Sequence, residues 1–343
     1  MPPSTPETGT VVFLRQTFYV QQLHLTDGAE LQVAQPRTLR LTVRPFTEAE
    51  TKLGHSSGGA ADAYWHHTAP PKAYAELVRF ADGQLDEVQT DGTRVMPNPS
   101  QLAKALQEFG RMATDGVGDV VQRYVCALRW RVGIDGPHSP LSVGLPQWSN
   151  DEATWRRFPL FGTRVLGFSG GSAPRLSNCP TELAEVASGL EEPVYHSLFR
   201  EAWSQRTSNR RSALVIGLAA AEIATKTTLA GLAPTAEWLI LNLPSPPLDR
   251  MLRKAIPSAM KAAGRTLRFN MEGGKARVLE DIRNGITQRN ECVHQPGSPP
   301  DFDNVVKFLL AVRDVLFMCD VYAGHDWALA RIRKETLEEW SAT

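Results

Sequence analysis

Residues 289–297, close to the C-terminus, read RNECVHQPG. Three of these side chains suit the chemistry of phosphate esters. Arg289 keeps its charge and offers several donors to a phosphate. His294 takes and gives protons near neutral pH. Asn290 can donate to a phosphate oxygen or orient the imidazole. Together they suit cleavage of RNA, in which the ribose 2′-hydroxyl attacks the adjacent phosphorus. That reaction needs a base, an acid and stabilisation of charge, but no metal. It leaves a cyclic phosphate and requires the hydroxyl that DNA lacks.

The spacing makes sense only because a terminator stands behind it. Residues five apart on a helix are separated by about 140° around the axis, so Arg289 and His294 would not meet on a continuing helix. Pro296 disfavours helical geometry at Gln295, and Gly297 suits a stop. His294 is therefore expected in the final turn or just beyond it. The plainer reading of Arg289 and His294 is a pair of cations at a helix C-terminus, favourable with the dipole. Asn290 is then no more than a polar residue near a helix end.

The elements that must position these residues are helical. From about Pro193 the apolar periodicity is close to 3.6. EPVYHSLFREAWSQR is amphipathic, with Pro193 suited to a first turn. SNRRSALVIGLAAAEIATKTTLAGL is long and mostly apolar, as expected of a helix buried on several sides. PTAEWLILNL is a shorter candidate, and PLDRMLRKAIPSAMKAAG is helical but interrupted at Pro257. GKARVLEDIRNGITQRNECVH and DFDNVVKFLLAVRDVLFMCDVYAG close the set, which predicts an all-α bundle of four to five helices. Between Asp249 and Arg289 there are ten Lys or Arg and four Asp or Glu. That surplus suggests either a solvated helix surface or a basic binding face.

The first half is β-rich. Leu31 and Val33, then Leu39, Leu41 and Val43, alternate with polar residues. QRYVCALRWRVGI is expected to be the clearest strand, with Tyr124, Cys126, Leu128, Trp130, Val132 and Ile134 on one face and Arg123, Arg129 and Arg131 on the other. NPSQLAKALQEFGRM predicts one helix, capped by Asn98 or Ser100, with Leu102, Leu106 and Phe109 at helical spacing. Residues 136–180, rich in Pro, Gly and Ser, read as loops, short strands and the approach to a linker.

The Arg, polar residue and His at the end of a helix, followed by another long helix, resemble the HEPN superfamily (higher eukaryotes and prokaryotes nucleotide-binding). RNECVH fits that family's pattern of Arg, four to six residues, His. RRSALVIGLAAAEIATKTTL resembles its long apolar helix with an embedded acid, and DFDNVVKFLLAVRDVLFMCDV its last bundle helix. The similarity spans about residues 193–325. It implies a metal-independent endoribonuclease without a cofactor, working on RNA as a homodimer. The motif helices of two subunits meet at a two-fold axis, so that one copy supplies what the other lacks. It also implies a toxin or anti-phage effector, with an antitoxin or a phage-derived trigger as partner. Carried over by position, the resemblance makes Arg289, Asn290 and His294 the site residues and adds Glu222 by its place in the apolar helix. A salt bridge from Glu222 to Lys226 one turn later is the structural alternative. Non-catalytic members exist, so the other reading is a nucleotide- or RNA-binding regulatory module.

Four further signals are set aside. GFSGG, Gly167 to Gly171, matches G-x-S-x-G around Ser169, but SAPRLSNCP is a poor helix start for a nucleophile elbow. GGKA, Gly273 to Ala276, lacks the earlier Gly and the Ser or Thr of a phosphate loop. Trp65, His66 and His67 suggest no third metal ligand, and loop histidines are expected there. TWRRFPLF interleaves Arg with aromatics that could stack on bases, but a strand under long Arg stems is the simpler reading.

The whole chain bounds these readings. It has 343 residues, zero formal net charge, 42% hydrophobic and 22% charged residues, an ordinary globular composition with no polyelectrolyte signal. Cys126, Cys179, Cys292 and Cys319 form no C-x-x-C pair and imply neither a disulfide framework nor a zinc site. The N-terminus does not read as a signal peptide. The longest apolar helix, around Ala213 to Ala224, contains Glu222 and is too short for a membrane span. A cytoplasmic α+β protein is expected: residues 1–185 a β-rich recognition domain, 190–330 the helical domain and 331–343 a C-terminal tail.

Overall fold

The structure, a computed structural model, describes residues 9–21, 24–25, 29–33, 39–52, 58–88, 94–132, 141–159, 175–176, 180–242, 244, 247–271, 277–294 and 300–341. The fold class is α+β, in two compact units that change over between Glu191 and Glu192.

The first unit contains the strands β1 (Thr10–Gln21), β2 (His24–Leu25), β3 (Ala29–Val33), β4 (Leu39–Pro45), β5 (Gly58–Ala69), β6 (Glu87–Val88), β7 (Arg94–Val95), β8 (Leu141–Val143), β9 (Gln147–Ser149), β10 (Arg156–Arg157) and β11 (Arg175–Leu176). Its helices are α1 (Glu48–Lys52), α2 (Pro71–Ala81), α3 (Lys104–Thr114), α4 (Val117–Val132) and α5 (Pro180–Ala187). The main sheet is antiparallel, in the order β10-β9-β1-β5-β4-β3, with β8 also pairing β1. Period-two alternation makes one face of it apolar. Val12, Leu14, Phe18 and Val20 of β1 are buried, as are Leu39, Leu41 and Val43 of β4 and Ala61, Ala63 and Trp65 of β5. They form one core with Leu77 and Phe80 of α2, Leu106 and Phe109 of α3, and Val121, Val125 and Leu128 of α4. Trp65 donates its indole N–H to the Ala113 carbonyl at 2.8 Å, tying β5 to α3.

The opposite face carries a ladder of arginines and aromatics. The Arg15 guanidinium lies 4.5 Å over the Trp155 ring and that of Arg40 4.7 Å over Tyr64. Tyr64 meets Trp155 edge-on at 6.0 Å. Near one end of this face, Arg44 bridges Glu50 and Asp62, with its Nη1 2.7 Å from Glu50 Oε2 and its Nε 2.6 Å from Asp62 Oδ2.

Several sequence expectations need correction here. The segment expected as the clearest strand is the helix α4. Val117, Val120, Val121, Val125 and Leu128 recur at helical spacing and are buried. Arg129 and Arg131, expected on the strand face opposite the apolar one, are buried as well. Arg131 is held by Glu185 and, at 3.8 Å, by Glu182, both from α5. For Arg131, partners more than fifty residues away thus bury a charge that the strand reading placed on a polar face. Asn98 caps only a 3₁₀ turn, Pro99–Gln101, accepting from the Ser100 N–H at 3.0 Å; the helix proper starts at Lys104. His66 and His67 lie in β5 rather than in a loop, so they point to opposite sides of the sheet.

The second unit contains α6 (Val194–Gln205), α7 (Arg210–Leu232), α8 (Glu237–Asn242), α9 (Leu248–Arg250), a π-turn (Met251–Ala255), α10 (Ile256–Ala262), α11 (Arg277–His294), α12 (Phe302–Tyr322) and α13 (Lys334–Ser341). The interruption expected at Pro257 is a π-turn in which the Ile256 N–H bonds the Met251 carbonyl. The wider turn accommodates a ring that has no N–H to give. Small residues let α7 approach α12: a Cβ on Gly217 would lie 2.8 Å from Leu309 and 3.1 Å from Phe308. In the core, Asp320 of α12 accepts from the Tyr195 hydroxyl at 2.6 Å and lies 2.7 Å from His196 Nε2, anchoring α6. Burial pushes the neighbouring Cys319 thiol up to about 12.

α7 is longer than its apolar centre suggested. At 23 residues it is the one helix among those described that is long and apolar enough to cross a membrane, and 56% of its apolar window is buried inside the structure. That burial is what a bundle's core helix shows.

The segment from residue 331 on, expected as a tail, is folded onto this unit. Trp340 is 1% exposed and packs edge-on against Phe269 at 5.3 Å. Buried Asp314 of α12 accepts from the Arg333 Nε at 2.7 Å and from the Thr336 hydroxyl at 2.5 Å.

Candidate functional site

The helix α11 carries the motif. Val278, Leu279, Ile282 and Gly285 form its buried stripe, and a Cβ on Gly285 would lie 2.5 Å from Cγ of Phe308 on α12. At its start, the Arg277 N–H donates to Glu339 of α13 at 2.8 Å, so the C-terminal segment satisfies a donor that the helix itself leaves open. Burial pushes the Asp281 carboxyl up from its ordinary value, against the lowering effect of Arg277, Arg333 and Lys307.

At the other end, Arg289 is half-buried and its Nη1 donates to Asn290 Oδ1 at 2.9 Å. Arg289 Nε and Gln288 Oε1 are buried without a hydrogen-bond partner among the described residues. Asn290 is exposed, and α11 is described as far as position 294. The His294 side chain lies outside the described residues, as do Gln295, Pro296 and Gly297. Helical geometry places Arg283, Thr287, Asn290 and position 294 on one stripe, each step being three or four residues. Arg289 is about 140° from position 294 around the axis.

Three helix termini frame this region. Asp301 caps α12, accepting from the Asn304 N–H at 3.0 Å, and Asn209 caps α7, accepting from the Ser212 N–H at 3.1 Å. Arg210, at the start of α7, donates to the Pro300 carbonyl at 3.0 Å, and its guanidinium lies 5.8 Å from the Phe302 ring centroid. Arg210 thus holds the chain at the approach to α12, just after the motif. It was not singled out from sequence; its only signal there is its place just after the Asn209 cap.

Glu222 is not brought to Arg289 and Asn290. Gly217 of α7 and Gly285 of α11 touch the same Phe308 ring. α7 runs alongside α12, from Arg210 near Pro300 onwards, while α11 runs back towards that end. From the Phe308 level Glu222 lies five residues one way and Arg289 four residues the other, about 13 Å apart along the axis. Glu222 is half-buried within α7.

Of the signals set aside, Gly167 to Gly171 with Ser169 and Gly273 to Ala276 lie outside the described residues. Among the described residues no three His, Cys, Asp or Glu side chains are grouped as a metal site would be.

Fold and site together define an α+β protein whose helical unit carries a hydrogen-bonded arginine–asparagine pair on an amphipathic helix. The chain matches no family model, no curated protein and no solved structure.

Proposed function

We propose that the helical unit is a HEPN-like, metal-independent endoribonuclease that works as a homodimer. The observation that carries this reading is the hydrogen-bonded pair Arg289–Asn290, one turn before position 294 on α11. In the reaction, His294 takes the proton of a ribose 2′-hydroxyl as that oxygen bonds to phosphorus. The P–O5′ bond breaks, a protonated imidazole returns a proton to the leaving oxygen, and a 2′,3′-cyclic phosphate remains. Arg289 offsets the charge that builds on the phosphorane, and Asn290 positions the phosphate or the imidazole. The 140° between Arg289 and position 294 favours a site shared by two copies, each supplying what faces away in the other. The sheet unit is the recognition part and controls a nuclease that would be toxic if always on. The setting that fits is a cytoplasmic toxin or anti-phage effector, held by an antitoxin or released by a phage-derived trigger.

One observation favours a second reading, a nucleotide- or RNA-binding module without catalysis. Arg289 spends one donor on Asn290 and buries its Nε, as a residue that shapes a helix end would. The test is incubation of the purified protein with total RNA, with and without a chelator, beside the His294→Ala variant. The nuclease reading expects cyclic-phosphate ends from the wild type in both conditions and none from the variant, with the sedimentation of a dimer in each. Intact RNA with the wild type under every activating condition leaves the binding module.

A further inference from the structure

The charge surplus between Asp249 and Arg289 is arranged rather than scattered. Along α9, the π-turn and α10, the residues open to solvent recur as a stripe of Arg250, Lys254, Ser258 and Lys261. Arg250, Lys254 and Lys261 have no carboxylate partner among the described residues. Beside the first two, Arg253 and Arg283 of α11 share a single acid, Asp249, at 3.2 and 3.5 Å. Among the described residues of α11, Glu280, one turn before Arg283, is an exposed carboxylate, as is Glu291 beyond Asn290. Among the described residues around Arg250, Lys254 and Arg283, five cations therefore stand beside Asp249 and Glu280. Unneutralised charges of one sign on adjoining helices raise a potential that draws in a polyanion.

The spacing fits a chain of charges rather than a single ion. At the helical rise, Arg250 to Lys254 is about 6 Å and Lys254 to Lys261 about 10 Å, comparable to one or two steps between successive phosphates of an extended strand. Arg283 is also the first member of the stripe that runs through Thr287 and Asn290 to position 294, about 16 Å further on. A strand held at Arg250, Lys254 and Arg283 would be led along α11 to the motif.

We infer that this strip docks the phosphate backbone of single-stranded RNA. The choice of RNA among polyanions rests on the ribonuclease reading; the strip itself does not. Contacts of this kind position a strand without reading its bases, and each phosphate neutralised adds to the salt dependence of binding.

The test is fluorescence anisotropy of the full chain with a labelled 2′-O-methyl oligoribonucleotide, which has no free 2′-hydroxyl to attack. Salt is varied from about 50 to 200 mM. The double variant Arg250→Glu/Lys254→Glu is compared with Lys104→Glu/Lys334→Glu, which makes the same change in net charge at exposed lysines elsewhere. The expected result is binding that weakens with salt, a loss of tenfold or more with a shallower salt slope in the strip variant, and less than twofold in the control. Absence of binding at low salt overturns the inference, as does equal weakening in both variants. Capture by phosphatidylserine vesicles without affinity for the oligonucleotide overturns it as well. If the strip variant loses binding while unmodified RNA is never cleaved, the strip stands and the nuclease reading falls. If RNA is cleaved and the strip variant binds and cleaves like the wild type, only the strip falls.

Discussion

Gly285 on α11 lies against the ring of Phe308 on α12 so closely that a Cβ would stand 2.5 Å from Cγ and 2.7 Å from Cε2. On the far side Gly217 of α7 approaches the same ring: a Cβ there would be 3.1 Å from Cε1. Phe308 is 1% exposed. Two glycines from two helices thus let three helices share one aromatic ring, and the motif helix is seated by that contact.

Gly285→Ala should therefore destabilise the helical unit by about 2–3 kcal/mol through overpacking, although alanine is the better helix former. Gly231→Ala on α7 is the matched control, since nothing lies within 4 Å of the Cβ it would add. It should stabilise by about 0.5–1 kcal/mol. Chemical denaturation monitored by circular dichroism measures both, and a Gly285→Ala protein as stable as the wild type would mean that the close approach does not exist.

What the sequence made legible was whatever one local pattern could carry. Leu39, Leu41 and Val43 declare a strand because one face is buried and the other is not. The apolar helices of the second unit declare themselves at their own period. The same logic misled at α4, where Arg131 looks like part of a polar strand face until Glu182 and Glu185 arrive from a distant helix. It misled again after residue 331, where polar composition hides one buried tryptophan. For the site, the helix that carries Arg289 and Asn290 was legible from its apolar period, whereas the hydrogen bond between their side chains was not. The distance of Glu222 from that pair was not, because it depends on which way α7 and α11 run past Phe308. The basic surplus could be counted in the sequence, whereas its alignment along one exposed stripe depends on the packing of α9 and α10.

The C-terminal segment should owe much of its attachment to one carboxylate. Asp314 is fully buried and accepts from the Arg333 backbone N–H at 3.2 Å, from its Nε at 2.7 Å and from the Thr336 hydroxyl at 2.5 Å. Thr336→Val keeps the shape and removes one bond to a buried charge, at a cost of about 1.5–3 kcal/mol. Because Glu339 on the same helix caps the start of α11, loosening α13 should also speed amide exchange at Arg277. Hydrogen exchange with mass spectrometry reads this directly; unchanged protection of the first turn of α11 would uncouple the two.

In the sheet unit, acid should act through Glu50. Its side chain accepts two hydrogen bonds from Arg44, at 2.7 and 2.9 Å, and two from Thr47, at 2.7 Å from the backbone N–H and 2.9 Å from the hydroxyl. Thr47 and Glu50 thus form a capping box at the start of α1. Bonds to the charged form, led by those of Arg44, lower its pKa to about 2, against the opposing effect of burial. A carboxyl depressed in the folded state stabilises fully above its unfolded value, near 4.5, and that contribution is lost as pH falls through about 2. After discounting for solvent screening, the contribution is about 1 kcal/mol. Glu50→Gln should therefore unfold at a lower temperature than the wild type at pH 7, with the gap shrinking between pH 4.5 and 2 and closing below it. Calorimetry across that range checks the sign: a gap that stays constant with pH would mean that the Glu50 charge does not stabilise the fold, leaving Arg44 to Asp62 alone.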